Sequence, residues 1–171
     1  MFSIATRRIG IIAILVFSLD QISKQVVKLL LPPGDERIML SGFFKFVHWE
    51  NTGAAWSMFT GRNYILAIVG IAALFVLFRS RHHFDSHTTL GQVALGLIFG
   101  GIVGNLADRL LFGRVTDFLY FYVQRRGGSE AGFPAFNVAD SAICIGVGLI
   151  FIASFRQERI AAANLSRPPA A

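Results

Sequence analysis

The sequence predicts a mainly α-helical integral membrane protein, on three observations. Of its 171 residues 54% are hydrophobic and seventeen are Phe, and the mean hydropathy is +0.58, values that soluble domains of this size seldom reach. Four apolar runs, near 9–31, 62–79, 90–111 and 137–155, approach the roughly 20 residues a helix needs to cross a bilayer. The basic residues, finally, gather in alternate connections between those runs.

The first run follows Arg7 and Arg8 and so has the opening of a signal peptide. It lacks a small-x-small cleavage site, however, and the amphipathic DQISKQVVKLLL continues it, so it reads as an uncleaved span. The 32–61 connection is long but not polar. Within it SGFFKFVHWE is dense in aromatics with a weak period of two, as in a short β-hairpin or an interfacial segment with Trp49 at headgroup level. NTGAAW then places Asn51 beside Gly53, Ala54 and Ala55. Two readings stand for it: an ordinary turn into the second span, or a stretch small enough for an extended peptide to lie alongside. In the third span Gly96, Gly100 and Gly104 recur every four residues. With no strand before them they indicate close helix packing, not a phosphate loop. Residues 1–158 form one membrane domain, and 159–171 read as a disordered cytoplasmic tail.

Orientation follows the Lys/Arg bias. Arg7 and Arg8 precede span one, Arg79 and Arg81 follow span two, and Arg156, Arg159 and Arg167 follow span four. The 32–61 connection carries two cations against three anions, a net of −1. Both termini are therefore expected in the cytoplasm, with 32–61 and 112–136 on the far side. The net charge of +6 is mostly this orientation signal, and no basic stripe interleaved with aromatics points to nucleic acid. The single Cys144 excludes an internal disulfide and a Cys-rich metal site. His82, His83 and His87 lie in a charged loop without a supporting carboxylate cluster, so no metal is expected.

A helix rises about 1.5 Å per residue, so position converts to depth. Asp20 falls roughly 15–18 Å into span one, Asn105, Asp108 and Arg109 lie in the outer third of span three, and Asn137 and Asp140 open span four. Polar residues of three spans thus converge on the extracytoplasmic half, where ionisable groups face a bundle interior or a wet cavity. Each also has a structural reading. Asp20 and Lys24 have the i, i+4 spacing of an ion pair; Arg109 pairs with Asp108 or anchors at the interface; Asn137 caps span four, and Asp140 complements its dipole. Asp117 tips the balance, because the apolar RVTDFLYFYV gives no local reason for an acid. Folded back under the headgroups, it meets Asp140 across adjacent antiparallel elements. Two carboxylates in a partly dry cleft share one proton, a state suited to peptide hydrolysis by an activated water. A hydrolase built on Cys144 fails on depth. A Ser/Lys dyad of Lys24 with Ser18, Ser23, Ser57 or Ser141 is a minor alternative. A proton-coupled transporter using the same acids is the runner-up, although the halves show no internal repeat.

Five motifs in order, DQISK (20–24), NTGAAW (51–56), GGIVGNLADR (100–109), VTDF (115–118) and FNVADSAI (136–143), resemble the lipoprotein signal peptidases, or signal peptidase II, of bacteria. The resemblance implies four transmembrane helices, a small extracytoplasmic β-sheet cradle and an amphipathic helix over the site, in the inner membrane. It implies an aspartic endopeptidase without cofactor or metal that cuts diacylglyceryl-modified prolipoproteins just before the lipidated Cys and is blocked by globomycin. The family's catalytic pair maps onto Asp117 and Asp140, and its supporting residues onto Asp20, Asn51, Asn105, Arg109 and Asn137, with Lys24, Gly53 and Asp108 beside them. Expected roles are Asn137 orienting Asp140, Asn105 and Arg109 bracing the cleft floor, and Asp20 holding the 32–61 segment through backbone N–H groups. Expected partners are the lipidated substrate and membrane lipid; a monomer suffices.

Overall fold

The computed structural model describes residues 4–53, 61–81, 84 and 88–165. Four helices, α1 (Ile4–Leu30), α2 (Asn63–Ser80), α3 (Thr89–Phe112) and α4 (Val138–Leu165), alternate with four strands, β1 (Glu36–Leu40), β2 (Phe44–Asn51), β3 (Val115–Gln124) and β4 (Glu130–Gly132). Each helix holds a stretch long and apolar enough to cross a membrane: Ile4–Leu30, Asn63–Ser80, Thr89–Phe112 and Val138–Arg156. The chain is a multi-pass membrane protein.

Packing ranks the helices. α2 buries only Ala67, whereas α3 buries eleven residues and contacts α1, α2 and α4. Glycine explains why α3 sits at the centre. A Cβ on Gly100 would stand 2.6 Å from the Ala13 carbonyl oxygen of α1, and one on Gly101 would stand 2.5 Å from the Ala139 carbonyl oxygen of α4. Two helix backbones therefore press on α3 from two sides, as small-residue seams permit. Gly101→Ala is expected to cost about 2 kcal/mol by overpacking and to lower the unfolding temperature in detergent micelles. Gly148→Ala, where nothing lies within 4 Å, is the matched control that keeps it.

The sheet is antiparallel in the order β1-β2-β3-β4. Of the two forms expected for the aromatic connection it takes the hairpin, and RVTDFLYFYV lies in β3 from Val115 onward, paired along β2 with a register shift between Phe46 and Trp49. Gly113 ends α3 in the left-handed conformation (φ 71°), its N–H bonded to the Arg109 carbonyl; β3 begins two residues later. β4 was not foreseen: QRRGGSEAG turns through Gly127 and Gly128 at positive φ and returns along β3.

One expectation changes. α4 continues to Leu165, so 159–165 is helical and not a disordered tail; RIAAANL is rich in strong helix formers. The part of the 32–61 connection from 54 to 60, where a separate amphipathic helix has room, lies outside the described residues. Ala54, Ala55, Trp56, Ser57, His82, His83, His87 and 166–171 lie outside them.

Candidate active site

The site begins with the way α4 starts. Asn137 is its N-cap: Asn137 Oδ1 accepts the Asp140 N–H at 3.0 Å, while Asp140 Oδ2 accepts the Asn137 N–H at 3.2 Å. This reciprocal pair is a capping box, here with Asn and Asp. The cap and the cleft are not alternatives, because the same two side chains also reach other elements, Asn137 to β3 and Asp140 to α3. Asn137 Nδ2 donates to Asp117 Oδ1 at 2.8 Å, and Asn105 Nδ2 donates to Asp140 Oδ1 at 2.7 Å. Asp117 Oδ2 accepts from Asn51 Nδ2 at 2.9 Å, and Asn51 Oδ1 in turn takes the Gly53 N–H at 2.9 Å.

Asp117 and Asp140 line one cavity of about 840 Å³ together with Asn51, Gly53, Asn105 and Arg109. Burial, then the neighbouring Asp140 carboxylate, push Asp117 up to about 7, against the pull of the Asn51 and Asn137 amides and of the Lys24 charge. Phe133 to Phe136 form an apolar wall, and Cys144, one turn along from Asp140, also faces the space.

Asp20, Lys24 and Asp108 do not line it. They form a buried cluster alongside, each at 1% exposure or less. The expected Asp20–Lys24 ion pair is present at 2.7 Å, and Lys24 also meets Asp108 Oδ2 at 2.9 Å and Asn105 Oδ1 at 3.0 Å. The Asp108 contact is an ion pair without the alignment of a hydrogen bond, so that oxygen stays otherwise unpartnered. Lys24 thus donates to one acid and one amide and meets the second acid by charge alone. The Ser23 and Ser141 hydroxyls go to the carbonyls of Asp20 and Asn137, so among the described residues no Ser/Lys dyad forms.

One pairing was not expected and another differs from expectation. Asp20 Oδ1 accepts the Ala139 N–H at 2.9 Å, so among the described residues Asp20 holds the first turn of α4, and the backbone it was expected to hold in 54–60 lies outside them. It lies on the stripe of α1, with Lys24 and Val27, that is buried in the bundle, and an anion there also complements the α4 dipole. Arg109 does not pair with Asp108, because neighbours in a helix point about 100° apart. Asp108 faces Lys24 and Gln21, while Arg109 reaches the carbonyls of Asn105 (3.4 Å) and Gly53 (3.5 Å) and lines the cavity. The sequence reading passed over Gln21, whose amide donates to Asp20, to the Gly104 carbonyl and to Asp108; its adjacency to Asp20 inside DQISK was the available signal. It also missed Asn63, which donates to the Arg109 carbonyl at 3.0 Å.

Comparison with known proteins identifies the family. The family model described as signal peptidase (SPase) II matches residues 12–156. A lipoprotein signal peptidase of Symbiobacterium thermophilum is 39% identical over 87% of this chain and 95% of its own. One of Azoarcus sp. is 42% identical over 85% and 81%. A solved bacterial membrane enzyme, determined by the in meso method at 2.3 Å resolution, superposes with a TM-score of 0.76 at 31% identity, covering 94% of this chain and 93% of that one. With four spans, a sheet at one end of the bundle and two acids on one cavity, the chain belongs to the signal peptidase II family.

Proposed function

We propose that Asp117 and Asp140 carry out the reaction. The protein is an aspartic endopeptidase that removes the signal peptide from prolipoproteins, cutting before the diacylglyceryl-modified Cys. The observation that carries the assignment is that both carboxylates face one cavity while both are bonded to Asn137.

Asp140 is the ionised member. It sits at the positive end of α4 and accepts from the Asn105 amide and the Asn137 backbone. Asp117, shifted up to about 7, holds the shared proton. A water between them gives a proton to Asp140 as its oxygen attacks the scissile carbonyl carbon, and Asp117 protonates the carbonyl oxygen. On collapse the C–N bond breaks, Asp140 passes its proton to the leaving amine, and Asp117 recovers a proton from the tetrahedral hydroxyl. One water is consumed and the pair is restored. Asn51 and Asn137 keep Asp117 oriented, and Arg109 beside Gly53 holds the substrate backbone. Asp20, Lys24, Asn105 and Asp108 fix this arrangement from beneath.

The lipid explains the location. The site opens at the end of the bundle where the sheet lies, which the charge bias makes the extracytoplasmic face of the inner membrane, with both termini in the cytoplasm. A diacylated Cys stays in the outer leaflet while the bond beside it reaches the acids. A monomer contains every residue used, and globomycin is expected to compete for the cavity.

The test is the pH dependence of kcat on a diacylated prolipoprotein in liposomes. Asp117 must be protonated, so kcat is expected to fall as pH rises through about 7, approaching a tenfold loss per pH unit above it. A profile flat across that region would sink the shared-proton reading.

A further inference from the structure

Lys45 is a charged residue that the reaction scheme does not use, and it is only 3% exposed in β2. An ammonium withdrawn from water needs compensation. Here it comes from the other three strands: Glu36 of β1 at 2.6 Å, Glu130 of β4 at 2.8 Å, and the β3 rings of Tyr122 and Tyr120, whose centroids lie 4.9 and 5.4 Å from Nζ. The register explains the convergence, since Lys45 stands opposite Tyr120, and Gln124, on the same face of β3, stands opposite Glu130. Burial pulls the Lys45 ammonium down, but the hydrogen bonds and charges of Glu130 and Glu36 outweigh it and raise its pKa above the ordinary value.

What this clamp holds is the approach to the active site. Glu130 opens β4, a three-residue edge strand entered through two glycines. β4 runs directly into the Phe133–Phe136 wall of the cavity, which docks on β3 through Phe133 N–H to the Phe121 carbonyl (2.9 Å) and through the Leu119–Phe136 bridge. After the wall come Asn137 and α4. So short a strand is weakly held by backbone bonds alone.

We propose that Lys45 is a positioning residue for substrate: by gripping Glu130 it fixes β4 and, through β4, the apolar wall against which the peptide lies. This rests on the reading of the cavity as the substrate site. The side chains of Glu36 and Glu130 are 45% and 34% exposed. Without Lys45 both turn to water, so the fold survives and β4 loosens. Neutralising both acids is different, because it leaves Lys45 buried and unpaired, and that variant is expected to unfold more readily than Lys45→Met.

The experiment measures kcat and KM on a diacylated prolipoprotein for wild type, Lys45→Met and Glu130→Gln, with amide hydrogen exchange across 130–136 in the same liposomes. Lys45→Met is expected to raise KM about fivefold with kcat within about twofold, to leave the pH midpoint in place, and to speed exchange at 130–136. Glu130→Gln is expected to do the same more weakly. Unchanged KM and exchange in folded Lys45→Met overturn the proposal, as does a fall in kcat alone. Wild type that fails to cleave overturns the reading of the cavity instead; exchange at 130–136 reports on the clamp independently of that outcome.

Discussion

Asp140→Asn and Asp117→Asn each lose at least about 10³-fold in kcat while remaining folded, the largest effect expected from single substitutions here. Neither change alters size, so the loss is chemical. An amide at 140 cannot take a proton from water, and one at 117 cannot give a proton to the scissile carbonyl. Asp117→Asn also meets an obstacle in the network. Both Asp117 oxygens accept from amide N–H groups, of Asn51 and Asn137, so the new NH₂ faces a donor. Asn51 cannot simply rotate, because its oxygen is committed to the Gly53 N–H. Some loss of stability is therefore expected, and thermal unfolding must accompany the assay. Near-normal turnover in a folded variant would reduce that residue to a cap or a packing acid.

Lys24→Met has the second largest effect, and it falls on stability. The substitution keeps the length of the side chain but leaves Asp20 and Asp108 facing each other, each at 1% exposure or less, without a cation. Breaking a buried ion pair from one side costs about 3–5 kcal/mol. Asn105 loses the anchor of its oxygen, so its grip on Asp140 loosens too. Chemical unfolding in mixed micelles measures the cost, and adding Asp108→Asn to Lys24→Met is expected to restore part of it. If Lys24→Met unfolds like wild type, the cluster is dispensable and its description as a support is wrong.

Much of this was legible in the sequence because membrane depth is a coordinate that residue number supplies. Asn105, Asp117, Asn137 and Asp140 could be placed near one face by counting along helices of known rise, and the structure brings those four together. Depth says nothing about azimuth, which is why partners were misjudged. Asp108 and Arg109 share a depth but point to different neighbours, and Asp20 reaches Ala139 because Gly101 and Gly104 let α4 and α1 close on α3. β4 was illegible for another reason: three residues after a glycine turn carry too little periodicity to announce a strand, and what holds them is a lysine on β2.

The capping box has a consequence for how such an enzyme can change. The atoms that start α4 are the atoms that orient the general base, so the turn that opens the helix is also part of the catalyst. The usual exchange between rigidity and activity is closed at this position: a variant that strengthened the cap with another residue would gain its stability by removing the chemistry. Change is cheapest on the lipid-facing residues of α2, which buries only Ala67 and supplies no group to the reaction.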